Sequence, residues 1–129
     1  MFIELDESLE TPIYQQLRNQ VVMGIASGQL VPGEGLPSVR TLAADLGINM
    51  HTVHKAYAQL RDEGYLLSRG SAGTVIARPA GADGVRKRLL DGLLLLASEH
   101  KSAGGERAGF EAAASEVLDA LYKEAGNDE

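Results

Sequence analysis

Cysteine is absent from the 129 residues, which excludes disulfides and thiolate chemistry. Long apolar runs are missing too. The longest, Leu93 to Ala97, is far too short to cross a bilayer. The opening Met1-Phe2-Ile3-Glu4-Leu5-Asp6-Glu7 carries acid where a secretory signal needs positive charge, so a cytoplasmic location is the expectation. Histidine is scarce: His51 and His54 stand at i, i+3, a spacing metals accept, but only His100 remains to join them and no zinc site is expected. Ser38, Ser68 and Ser71 have no recognisable base and orienting acid, and no carboxylate pair falls in an apolar cleft, so no enzyme is expected. The loop Gly28–Gly35, GQLVPGEG, lacks the G-x-x-x-x-G-K-[ST] spacing of a nucleotide-phosphate loop.

Positive charge is also in deficit, with a formal net charge of -6. As an average this argues against nucleic acid as a partner. The distribution reverses that argument. Residues 1–78 hold six Arg/Lys against eight Asp/Glu, and half of that acid precedes Thr11. Residues 79–129 hold six against ten. A mildly acidic chain with a local basic face still binds DNA, with weaker non-specific affinity.

That face is sought in residues 36–66, LPSVRTLAADLGINMHTVHKAYAQLRDEGYL. Ser38 suits an N-cap, and Leu42, Ala43 and Leu46 mark the inward side of a short helix. Gly47 sits where a left-handed residue ends a helix cheaply. Ile48 turns inward and Asn49 can cap a second helix, whose Val53, Ala56, Tyr57 and Leu60 recur at the spacing of one buried face. Gly64 stops it. Asn49, Met50, His51, Thr52, His54 and Lys55 are left on its leading edge, where the helix dipole favours an anion. Two short helices around a sharp turn, the second with a polar leading edge, describe a helix-turn-helix, in which the second helix enters the major groove.

Pro12-Ile13-Tyr14, Gly28-Gln29-Leu30, Pro32-Gly33, Leu36-Pro37-Ser38-Val39-Arg40, Leu42-Ala43, Thr52-Val53, Ala56-Tyr57, Leu60 and Glu63-Gly64-Tyr65 together resemble the winged-helix domain of GntR-family transcription regulators. The resemblance covers roughly residues 11–78 and is specific, because many fixed spacings agree at once. The short remainder is similar in length to the tail of the YtrA-like subgroup. The resemblance implies that Arg40, in the Pro-Ser-x-Arg motif, contacts DNA; a guanidinium can hold guanine O6 and N7 bidentately, with about 1 to 3 kcal/mol of discrimination. The competing reading of Arg40 is a salt bridge to Asp45 or Glu34. Related sequences often carry Asn-Pro-Asn-Thr where this one has Asn49-Met50-His51-Thr52, so the bases read at 50 and 51 do not transfer. Thr52 suits a thymine methyl or a phosphate; His54 and Lys55 suit phosphates.

Before this region, an extended arm is expected to pack Phe2, Ile3 and Leu5 on the body. A helix over about 12–27 follows, with Thr11 as N-cap, Pro12 at its first position and Tyr14, Leu17, Val21 and Ile25 as its core stripe. The family resemblance places a short strand before Leu36. After Gly64, Tyr65–Arg69 and Thr74–Arg78 flank a small-residue turn and read as a β-hairpin wing. Its tip pairs Arg69 with Gly70, where a slim backbone can approach a phosphate or the minor groove.

Residues 79–84, PAGADG, read as a hinge. Beyond it, Leu89, Leu93 and Leu96 belong to a wide apolar face of a helix from about Asp83 to Glu99. Lys101–Gly109 reads as a break, and Phe110, Val117 and Leu121 mark a second amphipathic helix ending before Gly126, with a frayed end at Asn127–Glu129. Two such helices bury too little alone, and a second copy of the chain is the simplest partner for a self-complementary patch; the YtrA-like resemblance implies the same. Arg86, Lys87 and Arg88 beside the leucines raise a membrane-surface alternative, which the second helix argues against by lacking a basic face.

The expected fold class is α+β: a winged helix-turn-helix of three helices plus a β-hairpin wing (1–78), a hinge (79–84) and a two-helix dimerisation tail (85–129). The expected function is sequence-specific reading of double-stranded DNA by a homodimeric repressor on a near-palindromic operator, with no membrane partner and no cofactor. A small-molecule effector of unknown identity is left open. The alternative is an effector-responsive or protein-interaction winged helix without independent DNA readout.

Overall fold

A computed structural model describes residues 3–79 and 81–123. Phe2 and the expected frayed end lie outside them. The chain divides into two compact units, Met1–Ala80 and Gly81–Glu129.

The first unit is built on three helices: α1 (Ile13–Ser27), α2 (Val39–Leu46) and α3 (Met50–Asp62). Leu17 and Val21 of α1, Leu42 and Ala43 of α2, and Val53, Ala56, Tyr57 and Leu60 of α3 meet in one core, completed by Leu30, Leu66 and Ile76. Leu30 reaches it by folding back on α1, its N–H bonded to the Gly24 carbonyl at 3.0 Å. A Cβ on Gly24 would stand 3.0 Å from Leu30 Cδ1, so only a glycine leaves this space open.

α1 starts one residue later than expected. Pro12, not Thr11, holds the cap position, with no side-chain cap. Pro12 supplies the carbonyl that accepts from Gln15 and Gln16 N–H, and its side chain has no group that could cap. The Thr11 carbonyl instead accepts from Gln16 Nε2 at 2.8 Å. Gln16 also bonds both the N–H and the carbonyl of Asp6, and Gln20 does the same at Glu4. Residues i, i+4 on a helix and i, i+2 on an extended chain are both about 6 to 7 Å apart, which is why the two amides match the arm. Ile3 and Leu5 thereby pack against the core as expected. Ser8 donates from its hydroxyl and its amide to Asp6 Oδ1, holding that exposed carboxyl below its usual range.

β1 (Leu66–Ser68) and β2 (Thr74–Ile76) pair antiparallel, Leu66 opposite Ile76 and Ser68 opposite Thr74. The wing is therefore present but shorter than its two apolar runs. The strand expected before α2 shrinks to one bridge, Gly35 opposite Val75. Pro32 and Pro37 bracket this segment and cannot donate to a ladder, which limits it to the bonds made by Gly33, Glu34 and Leu36.

In the second unit a 3-10 turn, Ala82–Val85, occupies part of the expected hinge, and α4 runs Arg86–Ser102, beginning and ending later than its leucine pattern indicated. Its end is a Schellman motif: Gly104 N–H bonds the Lys101 carbonyl, Gly105 N–H bonds the His100 carbonyl, and Gly104 adopts φ 93°. α5 (Arg107–Leu121) starts almost at once. The expected break to Gly109 is too long, because Gly109 lies inside the first turn of α5 with its N–H on Glu106. His100 meets Phe110 edge-on at 5.7 Å. Leu89, Leu93, Leu96, Val117 and Leu121 are 40 to 59% exposed, and neither helix holds a buried residue. Among the described residues no helix is long and apolar enough to cross a membrane.

Candidate nucleic-acid interface

The helix-turn-helix is held at three points, each local in sequence. Ser38 Oγ accepts from Thr41 N–H at 3.1 Å and starts α2. Gly47 ends it at φ 67°, and Ile48 N–H returns to the Ala43 carbonyl at 3.1 Å. Asn49 Oδ1 then accepts from His51 N–H at 2.6 Å and starts α3. A fourth hold is not local. Tyr57, 1% exposed, donates its phenol O–H to the Pro37 carbonyl at 2.7 Å, tying the middle of α3 to the approach to α2. Burial pushes this phenol up to about 12.

Four of the candidate residues come together at the start of α3. Asn49, Met50, His51 and His54 line an open hollow with Val39, the neighbour of Arg40 in the first turn of α2. Arg40 is exposed and, among the described residues, makes neither of the salt bridges weighed for it; the Glu34 carboxylate accepts from Val31 N–H instead. Thr52 is half-buried. Lys55 holds its ammonium 4.1 Å from the centre of the Tyr14 ring. Tyr14 thus packs half-buried against the core, as its stripe indicated, and presents a ring face to a cation.

In the wing, Arg69 is exposed and its N–H donates to the Gly73 carbonyl at 2.8 Å. The tip, Gly70–Ala72, is one 3-10 turn. Gly70 at φ 55° has no heavy atom near the place of a Cβ, so its surroundings are open to an approaching group. Among the described residues no three of His, Cys, Asp or Glu gather as metal ligands.

Residues 13–76 match the family described as bacterial regulatory proteins, gntR family. YtrA from Sulfolobus acidocaldarius, a GntR-family transcription factor, is 38% identical with a TM-score of 0.61, and the match covers 73% of this chain and 99% of that one. The chain belongs to the GntR family. Within it, the chain is YtrA-like. The HTH-type transcriptional repressor YtrA of Bacillus subtilis is 40% identical over 78 residues, 60% of each chain. The DNA-binding domain of AraR, solved in complex with operator ORX1, is 27% identical with a TM-score of 0.50 over 60% of this chain and 93% of that one. This GntR-family chain spans 17 to 64% of the length of the first curated relatives it matches.

One charged pair at the far end of α3 escaped sequence reasoning. Arg18 of α1 is 8% exposed and its Nε donates to Glu63 Oε1 at 2.9 Å. The partners lie 45 positions apart, and nothing in either local pattern joins them. A charged residue beside the buried Leu17 was the available signal, because an arginine within a core stripe needs a partner.

Proposed function

We propose that this chain regulates transcription by reading operator DNA as a homodimer, and that it acts as a repressor. The observation that carries the reading is the gathering of exposed hydrogen-bonding groups around the capped start of α3. Asn49, Met50, His51 and His54 share one hollow with Val39, and Arg40 stands exposed next in line. With α3 in a major groove, Arg40 and residues 49–52 read bases, while His54, Lys55 and Arg69 hold phosphates and Gly70 lets the wing approach closely. The exposed leucines of α4 and the apolar face of α5 pair with those of a second copy, so that residues 1–78 read, 79–84 link and 85–129 dimerise. A two-fold dimer then reads a near-palindromic site. The repressor name of the Bacillus relative and the operator complex of AraR support the same reading. A cytoplasmic location goes with it.

The test is selection of bound sequences from random duplex DNA, with wild type beside Arg40→Ala. An inverted repeat enriched by wild type and lost in the variant is expected. No enrichment by wild type, even at low salt, overturns the reading.

A further inference from the structure

The corner where α3 passes into the wing lies between two sets of proposed DNA contacts. Glu63 caps α3, Gly64 turns at φ 90°, and Tyr65 leads into β1. Tyr65 N–H returns to the Leu60 carbonyl at 2.9 Å, and its own carbonyl accepts from Ala77 N–H at 2.8 Å. Gly64 N–H also bonds the Arg61 carbonyl at 3.1 Å, so a Schellman motif holds the backbone here, and a side chain that reaches both flanks of the glycine adds to that hold.

Arg18 touches the residue on each side of that glycine. Its Nε bonds Glu63 at 2.9 Å, its guanidinium lies 5.7 Å from the centre of the Tyr65 ring, and its Nη1 bonds Asn19 Oδ1 at 3.0 Å. Gln59 Nε2 reaches the other Glu63 oxygen at 3.5 Å. An ion pair largely withdrawn from water, as here with side chains 10% and 22% exposed, is a poor device for stability alone, since apolar residues of the same size often do as well or better. What a planar guanidinium adds is direction: a fork of donors and a stacking face fix two neighbours at once.

We infer that Arg18 is a positioning residue, which sets the angle between the recognition helix and the wing through Glu63 and Tyr65. The inference rests on the DNA-reading proposal above. Its leverage is geometric. Arg69 stands five residues beyond Gly64, about 16 Å along an extended chain, so a turn of about 10° at the corner moves the wing tip by about 3 Å. That is the full length of a hydrogen bond.

The test uses the full chain and the duplex most enriched by wild type in the selection. Arg18→Met combined with Glu63→Met replaces the pair by apolar groups of similar size. The expected result is an unfolding midpoint at or above wild type with a dissociation constant raised about tenfold. Arg69→Ala, which weakens wild type several-fold, should add less than about twofold in this background, because a displaced wing has no contact left to lose. A doubly substituted protein that binds within about twofold of wild type overturns the inference. So does weakened binding with the Arg69→Ala effect intact, since the wing would then still be in register. Arg18→Lys keeps charge and stem but loses the fork and the stacking face, and serves if the double variant does not fold. It should bind at least about threefold more weakly while folded, and wild-type affinity there overturns the inference equally. Failure of wild type to enrich any duplex instead counts against the DNA-reading proposal itself.

Discussion

Tyr57→Phe removes one oxygen from the core and keeps the ring. The lost hydrogen bond to Pro37 is 2.7 Å long, and the residue that donates it is 1% exposed. A net hydrogen bond of about 1 kcal/mol, plus part of the penalty of an unpaired carbonyl, gives a loss of about 1 to 2 kcal/mol at pH 7. For a unit of this size each 1 kcal/mol corresponds to about 4 to 8 °C of melting temperature. The pH dependence is a second, independent signature. The phenol is raised from 10.0 to about 12 on folding. Between these values the unfolded chain has released a proton that the folded chain keeps, so stability falls as pH rises through the window. Two pH units correspond to at most about 3 kcal/mol, all of it still present below pH 10. Tyr57→Phe lacks this dependence. Urea unfolding of both proteins at pH 7, 9, 10 and 11, followed by circular dichroism, should show wild type ahead at neutral pH and the gap closing above pH 10. Equal stability at pH 7, or a gap that stays constant to pH 11, would refute the claim that this phenol anchors α3.

Asn49→Ala removes the acceptor of His51 N–H and should lower stability by about 1 kcal/mol, with the loss read by thermal unfolding and with faster amide exchange confined to the first turn of α3. Gly73→Ala should cost about 1 to 3 kcal/mol, because its φ 78°, ψ -149° is a glycine-only region. Open space surrounds the site, so the loss is backbone strain, and wild-type unfolding in urea would argue against it. Leu93→Asp puts charge in the centre of the exposed α4 leucines and should convert the proposed dimer to monomer in sedimentation equilibrium at micromolar concentration, while an unchanged dimer mass would mean that another surface associates.

The parts of the fold that could be read from sequence are those decided within about five residues. Ser38 and Asn49 cap because each bonds a backbone N–H two or three positions on. Gly28 and Gly47 end helices because their left-handed φ of 86° and 67° is reached cheaply only without a side chain. The same locality produced the errors. Thr11 has the right chemistry for a cap, yet Gln16 claims its carbonyl for the arm. Gly109 has the wrong propensity for a helix, yet it falls where the first turn of α5 tolerates it. What was illegible is what distant segments do together. Lys55 resting on Tyr14, Arg18 bonding Glu63 and Tyr57 reaching Pro37 all depend on helix packing that no single window contains.

The charge balance bears on why the proposed regulator would need two heads. On the proposed reading one head offers Arg40, Lys55 and Arg69 to DNA, against a whole-chain charge of -6. Of these only Lys55 and Arg69 are assigned to phosphates, and two phosphates neutralised correspond to a salt slope of about -2, too shallow for strong binding at physiological salt. Lys55 is further restrained, because its ammonium already rests on an aromatic face that a phosphate contact must share. A second head doubles the slope to about -4 and adds its own base contacts without a new association step, which raises affinity for a correctly spaced pair of half-sites far more than for random DNA. The acidic background lowers attraction to every sequence alike, while the inverted repeat restores it at one. The scarcity of positive charge is therefore compatible with DNA reading and places the burden of specificity on the tail: the exposed leucines of α4, by joining two heads, would decide whether the few cations on each are enough.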